Sequence, residues 1–325
     1  MICLVMHGML RLATPAQKTL GSLGSQYRTD PRMPLPTSDT IVSYPDGAIT
    51  STGTVLHVEP LADGRSAVLL DATAVHPVDT AWPDQPADFG DLVSGDDVYP
   101  LTDAVTGGIH EGVLYLGQDL PVRGGTEGWI FVVAHIVDGA APAVGATVET
   151  RVDAERRTAL SAGHTACHLA SLALDAALAD AWSKPVQTDA LGHPGFDALA
   201  IETSRIQPNS SVDVYRIGKS LRRKGFIPTA LDDLTTVQDT ANGLLEQWRS
   251  AGGAIHIARD APELSARRTW VCELSAGTTN IPCGGTHLTN LDELAAVTVE
   301  LELVDLEGAR QLTMTTTALP AVARA

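Results

Sequence analysis

Two pairs of metal-ligand residues stand more than a hundred positions apart in this chain: His164 and His168 in GHTACHLASLAL, and Cys283 and His287 in PCGGTHL. A spacing of four places the two histidines one turn apart on one face of a helix, so both imidazoles can reach a single ion. The second pair has a different setting. Pro282 and the Gly284-Gly285 pair mark a turn or strand end, which holds a thiolate and an imidazole together only if it is tight. Nitrogen and sulfur donors in a two-plus-two set suit zinc. Such a centre either polarises a water or a substrate carbonyl, or closes a four-ligand shell that only holds the chain together. The sequence leaves both alternatives open.

The elements that must position these residues are partly legible. Residues 158–182 are rich in Ala and Leu, periodic, and free of Pro after Gly163, which predicts a helix around 155–182 carrying His164 and His168. Upstream, residues 38–150 alternate short β-like runs (TIVSY, TGTVLHV, SAVLLDATAV, GVLYL, WIFVVAHIV) with Gly, Asp and Pro turns, the pattern of a small β-barrel or meander. Downstream of the helix, SKPVQTDALGHPGFDALAIETSRIQPNSS reads as an inserted loop or hairpin set. LDDLTTVQDTANGLLEQWRS then predicts a helix with an acidic first turn, closed before Gly252-Gly253, and IHIA, TWVCEL and VTVELELV predict strands. The expected fold class is α+β: a small N-terminal β-barrel domain followed by an α/β two-layer sandwich. The expected limits are a flexible extension or misassigned start over 1–37, the barrel over 38–152, and the zinc-binding domain over 153–318 with an insertion at 183–225.

Composition narrows the functional classes. The net charge of -17 argues against a general nucleic-acid binder, because such affinity comes largely from Lys and Arg replacing phosphate counterions. One basic cluster stands out: Arg216, Lys219, Arg222, Arg223 and Lys224 within YRIGKSLRRKG. It is either an RNA-contact patch or a solvated face balancing the chain's own acids. Four cysteines, including Cys283 in a metal motif, do not read as a disulfide framework, and a zinc thiolate survives best in a reducing compartment, so a cytoplasmic location is expected. No apolar run reaches membrane-spanning length, and MICLVMHGMLRLATPAQ makes a poor signal peptide because no basic residues precede its apolar stretch. There is no G-x-S-x-G elbow and no P-loop.

The two ligand motifs, in this order and wording, resemble the editing domain of alanyl-tRNA synthetase and its free-standing relatives, the AlaX trans-editing proteins. VDAERRTALSAGHTACHLASL (152–172) is similar to the family's HTAxH helix with its preceding carboxylate and arginines. RRTWVCELSAGTTNIPCGGTHLTNLDELAAVTV (267–299) resembles its strand, PCGGTH turn and following strand. VLLDATAVHPVDTAWPDQPADFGDL (68–92) resembles the segment that ends in GGQP and D-x-G. The resemblance covers about residues 40–315.

It implies a zinc-dependent hydrolase, acting in trans, that cleaves the ester of mischarged tRNA, chiefly Ser-tRNA(Ala) or Gly-tRNA(Ala). In that setting Thr165, Thr286 and Gln85 join the four ligands as site residues. The two threonines either bond the amino acid or cap backbone groups. Arg156 and its neighbour Arg157 either meet the tRNA end or pair with Asp153 or Glu155. Cys167 and Cys272 are expected to pack in the core. Where the family has a glycine-rich run, this chain reads TAWPDQP, which keeps Gln85 and Pro86 but sets Trp82, Pro83 and Asp84 in place of flexible glycines. A stiffer loop with altered access follows, so serine specificity is less secure than hydrolysis. Two other classes stay open: a non-catalytic zinc-stabilised module binding RNA or protein, and a hydrolase of another small aminoacyl ester.

Overall fold

The structure, a computed structural model, describes residues 34–321, so most of the expected N-terminal extension lies outside the described residues. The chain mixes α and β, with far more strand than helix. Its first part runs through β1 (Ile41–Val42), β2 (Thr50–Pro60), β3 (Arg65–Leu70), β4 (Ala72–Thr73), β5 (Gly90–Ser94), β6 (Asp97–His110), β7 (Val113–Leu116), β8 (Ile130–Asp138) and β9 (Thr147–Val152). Seven of these form one antiparallel sheet in the order β5-β9-β2-β3-β8-β6-β7, and a further β5–β6 pairing bends it into a ring-like arrangement. Ala67, Leu69, Val132 and Ala134 pack in its core.

Helix α1 (Ala154–Ala177) leaves this sheet directly from β9. Asp153 caps it, its carboxylate accepting the backbone N–H of Arg156 at 3.0 Å, which satisfies one of the four donors a helix start leaves open. Then come α2 (Phe196–Ala200), β10 (Ile201–Gln207), β11 (Ser210–Ile217), α3 (Lys219–Lys224), α4 (Leu234–Ala251), β12 (Ile255–Arg259), β13 (Arg268–Leu274), β14 (Gly277–Pro282), β15 (Leu294–Leu306) and β16 (Ala309–Pro320). They make a four-stranded antiparallel sheet, β10-β11-β16-β15, and a three-stranded one, β12-β13-β14. Leu169 and Leu174 of α1, Leu245 and Trp248 of α4, Trp270 of β13 and Met314 of β16 share one core.

The helix around 155–182 and the strands of the second part form as expected, although α1 ends at Ala177. Asp233 caps α4 by accepting from Thr236 N at 3.1 Å, and the helix stops at Gly252, whose φ of +71° suits glycine. The stretch read as an insertion is more integral than its prolines suggest. Residues 201–217 do form a hairpin, but β11 pairs on both edges and buries Tyr215 and Ile217 in the main core. α1 crosses this hairpin so closely that a Cβ on Gly163 would lie 2.4 Å from Gln207 O and 2.6 Å from Ser210 O. That glycine, immediately before His164, lets the helix settle onto the sheet.

Candidate metal centre

The two sequence-distant pairs meet. His164, His168, Cys283 and His287 each offer a donor atom, and these atoms lie within 4.8 Å of one another. His164 and His168 stand on successive turns of α1 with ring centroids 4.9 Å apart, as the spacing of four requires. The PCGGTH segment follows β14 and turns back so that Cys283 Sγ lies 3.5 Å from His164 Nε2 and 3.3 Å from His287 Nε2. Nitrogen at about 2.0 Å and sulfur at about 2.3 Å from a shared ion stand roughly 3.5 Å apart at a tetrahedral angle, so these separations fit metal-binding geometry. The side chain of Trp270 walls the centre, its ring centroids 5.0 Å from His168 and 5.8 Å from His287.

Protonation also fits. Burial lowers the pKa of His168 to about 4, and burial together with the neighbouring imidazoles holds His164 and His287 well below the usual histidine range. All three are neutral at pH 7, as ligands must be. His168 Nε2 is buried without a hydrogen-bond partner. A buried orphan of this kind asks for an explanation, and an ion shared with three neighbouring donors supplies one.

The supporting residues fix which nitrogen faces the centre. Gln85 Oε1 accepts the backbone N–H of Thr286 at 2.9 Å, which identifies that atom as the carbonyl oxygen; it also lies 2.7 Å from His164 Nδ1. Nδ1 therefore carries the proton and Nε2 presents its lone pair toward Cys283. Thr286 Oγ1 accepts from Gln85 Nε2 at 2.8 Å and from Ser161 Oγ at 2.9 Å, tying the turn to α1. Thr165 Oγ1 accepts from Leu288 N at 3.1 Å and faces His287 Nδ1 at 3.3 Å, the counterpart of the Gln85 contact. Of the two roles open to these threonines, Thr165 displays the backbone contact, whereas the Thr286 hydroxyl bonds the side chains of Gln85 and Ser161. Gly285 is needed for closeness: a Cβ there would lie 2.3 Å from His164 Cε1.

A buried ion pair holds the Gln85 segment in place. Arg157 forks onto Asp88 and also donates to the carbonyls of Ala48 (3.2 Å) and Ala74 (2.8 Å). Arg157 thus pairs with neither Asp153 nor Glu155. Arg156 lies over the half-exposed Phe89 ring, 4.3 Å from its centroid. Cys272 is buried in the core as expected. Cys167 points away from the centre, as its place between the histidines demands, but its surroundings are polar: Sγ is 3.5 Å from Asp213 Oδ2.

The basic cluster is exposed at the end of β11 and on α3, which Leu221 anchors. Arg216 lies 3.9 Å from Glu202, and Arg222 donates to Gly308 O at 3.4 Å. Lys219, Arg223 and Lys224 project from the same helix, and none of the five shares a hydrogen bond or ion pair with the centre.

Sequence reasoning missed Asp84 and Ser161 as members of the site. Asp84 Oδ2 lies 3.6 Å from His164 Nε2, and burial raises its carboxyl pKa to about 7. Its signal was the acid placed directly before Gln85 in TAWPDQP. Ser161 had a signal in its spacing of three before His164, which directs both residues to the same helix face. Among the described residues, no helix is long and apolar enough to cross a membrane. No protein-family model matches the chain.

Proposed function

We propose that this chain is a zinc-dependent hydrolase that cleaves the ester of mischarged aminoacyl-tRNA in trans, with Ser-tRNA(Ala) or Gly-tRNA(Ala) as substrate and the cytoplasm as its location. One observation carries the reading: two motifs that resemble those of the alanyl-tRNA editing family bring three imidazoles and a thiol within 4.8 Å of one another. The N₃S donor set favours zinc. The same reading describes the architecture as a β-barrel domain over 38–152 followed by a two-layer editing domain over 153–318.

In this account His164, His168, Cys283 and His287 hold the ion, Gln85 and Thr165 orient two of the imidazoles, and Trp270 shields one side from water. When bound, zinc supplies Lewis acidity for a water or an ester carbonyl. An aminoacyl ester is activated enough to need no serine nucleophile. The exposed cluster of Arg216, Lys219, Arg222, Arg223 and Lys224 offers contacts to the phosphates of the tRNA despite the net charge of -17.

A second reading has its own support. Four protein donors can close a tetrahedral shell, which is usual for structural zinc, and the chain would then be a zinc-stabilised module that binds RNA or protein. Deacylation of serine-charged and alanine-charged tRNA(Ala), with and without a chelator, separates the two. Chelator-sensitive release of serine but not alanine supports editing. Zinc-loaded protein that releases neither sinks it, and unfolding on zinc removal then favours the structural module. Turnover of other small aminoacyl esters alone would remove the tRNA from the account.

A further inference from the structure

We propose that Asp84 selects substrates that carry a free α-ammonium group, an inference that rests on the aminoacyl-ester reading. Asp84 stands beside the donor set without belonging to it. Its Oδ2 lies 3.6 Å from His164 Nε2, the nitrogen turned toward Cys283, yet the four mutually close donors do not include it. It is the one carboxylate among the described residues within ion-pair distance of a histidine of the cluster.

Its position is fixed by the backbone. Asp84 O accepts from Ile206 N of β10 at 2.9 Å, Asp84 N donates to Trp82 O at 2.9 Å, and Oδ1 accepts from Gln85 N at 2.7 Å. Oδ2 is left turned toward the centre, on a side chain about 20% exposed. Among the described residues, no Lys or Arg pairs with this carboxylate, whereas nearby Asp88 is fully engaged by Arg157. A carboxylate held in this way, with no fixed cation, is arranged to receive a mobile one.

The chemistry of an aminoacyl ester matches that arrangement. Its ammonium and its carbonyl carbon are separated by one Cα, so a carbonyl brought to the centre carries its ammonium alongside. A divalent ion with a single thiolate leaves the centre net positive and repels that ammonium, and Asp84 supplies the offsetting charge. An N-acylated or deaminated ester forfeits the interaction. A charge-assisted pair of this kind corresponds to about a 10- to 100-fold preference in binding.

The test uses two non-hydrolysable probes: 3′-amino-3′-deoxyadenosine joined to serine through an amide, with the serine amine free or acetylated. Binding of both to zinc-loaded wild type and Asp84→Asn is measured by calorimetry, with zinc content determined in parallel. Wild type is expected to favour the free amine by about 10- to 100-fold. Asp84→Asn should lose that preference, retain one zinc per chain, and bind the acetylated probe as wild type does. Equal binding of both probes by wild type, binding of neither, or a preference that survives in Asp84→Asn overturns the proposal. Loss of zinc in Asp84→Asn also overturns it, by making the residue a ligand. Ester turnover without amine preference defeats this inference alone, while amine preference without turnover defeats the hydrolase reading alone.

Discussion

Gln85 Oε1 lies 2.7 Å from His164 Nδ1, joining a residue of the 80–86 loop to a helix residue 79 positions later. The same oxygen accepts the N–H of Thr286 from the PCGGTH turn, so one amide group holds three distant segments in register. It also sets the imidazole tautomer, which decides whether His164 can donate a lone pair to an ion.

Gln85→Ala is therefore expected to weaken metal binding by about 10- to 100-fold while the fold persists, because the ligand loses the group that orients it. Chelator competition monitored against wild type measures this. Unchanged affinity would show that His164 is oriented by packing alone.

The two glycines of the PCGGTH turn should respond differently. A Cβ on Gly285 meets the His164 ring at 2.3 Å and Gln85 Oε1 at 2.6 Å, whereas one on Gly284 meets nothing within 4 Å. Gly285→Ala should lower metal affinity by at least about tenfold, the scale seen when groups that orient ligands are displaced. Gly284→Ala should bind as wild type. Equal behaviour of the two variants in a metal titration would contradict the packing described.

Arg157→Met leaves Asp88 buried without its partner and strands the carbonyls of Ala48 and Ala74. Breaking one side of a buried pair costs about 3–5 kcal/mol. Urea denaturation should show a loss of that order, with a smaller loss in the double variant Arg157→Met/Asp88→Asn. A single variant as stable as wild type would remove the pair from its anchoring role.

His135 gives a pH prediction away from the metal centre. Both its nitrogens are engaged, Nδ1 donating to Val68 O at 2.9 Å and Nε2 paired with Thr73 Oγ1 at 2.8 Å, and burial lowers its pKa to about 4. The unfolded chain, with a histidine pKa of about 6.5, binds this proton first as pH falls. The contribution is thus complete above about pH 6.5 and is lost as pH drops toward 4. The stability of wild type relative to His135→Gln should fall across that window by up to about 1.4 kcal/mol per pH unit. A constant difference in denaturation free energy would show that His135 does not titrate this way.

These relationships were unequally legible in the sequence. The four donors could be named because the helical spacing of His164 and His168 and the glycine turn after Cys283 are local patterns. Helix α4 was bounded by equally local signals, the Asp233 cap and Gly252. Strand β6 was not read, because Pro100 and the Gly107-Gly108 pair look like turn residues. In the fold these glycines admit Leu116, Leu120 and Trp129 against the strand, a need set by distant residues. The Asp88–Arg157 pair was hidden for a similar reason: Arg157 had nearer acids in sequence, and only the course of the chain brings Asp88 to it. Asp84 was visible as an altered loop residue, but its nearness to His164 depends on how the loop is pinned to β10.

The central claim is that both motifs bind one ion, and cobalt substitution tests it most directly. Metal-free protein titrated with Co²⁺ should take up one ion per chain, with visible bands of a tetrahedral centre and a near-ultraviolet thiolate charge-transfer band. Cys283→Ser should lose the charge-transfer band, and His164→Ala and His168→Ala should each change the visible spectrum. An absence of uptake, two independent ions, or a charge-transfer band that survives in Cys283→Ser would contradict a single centre built from the two halves.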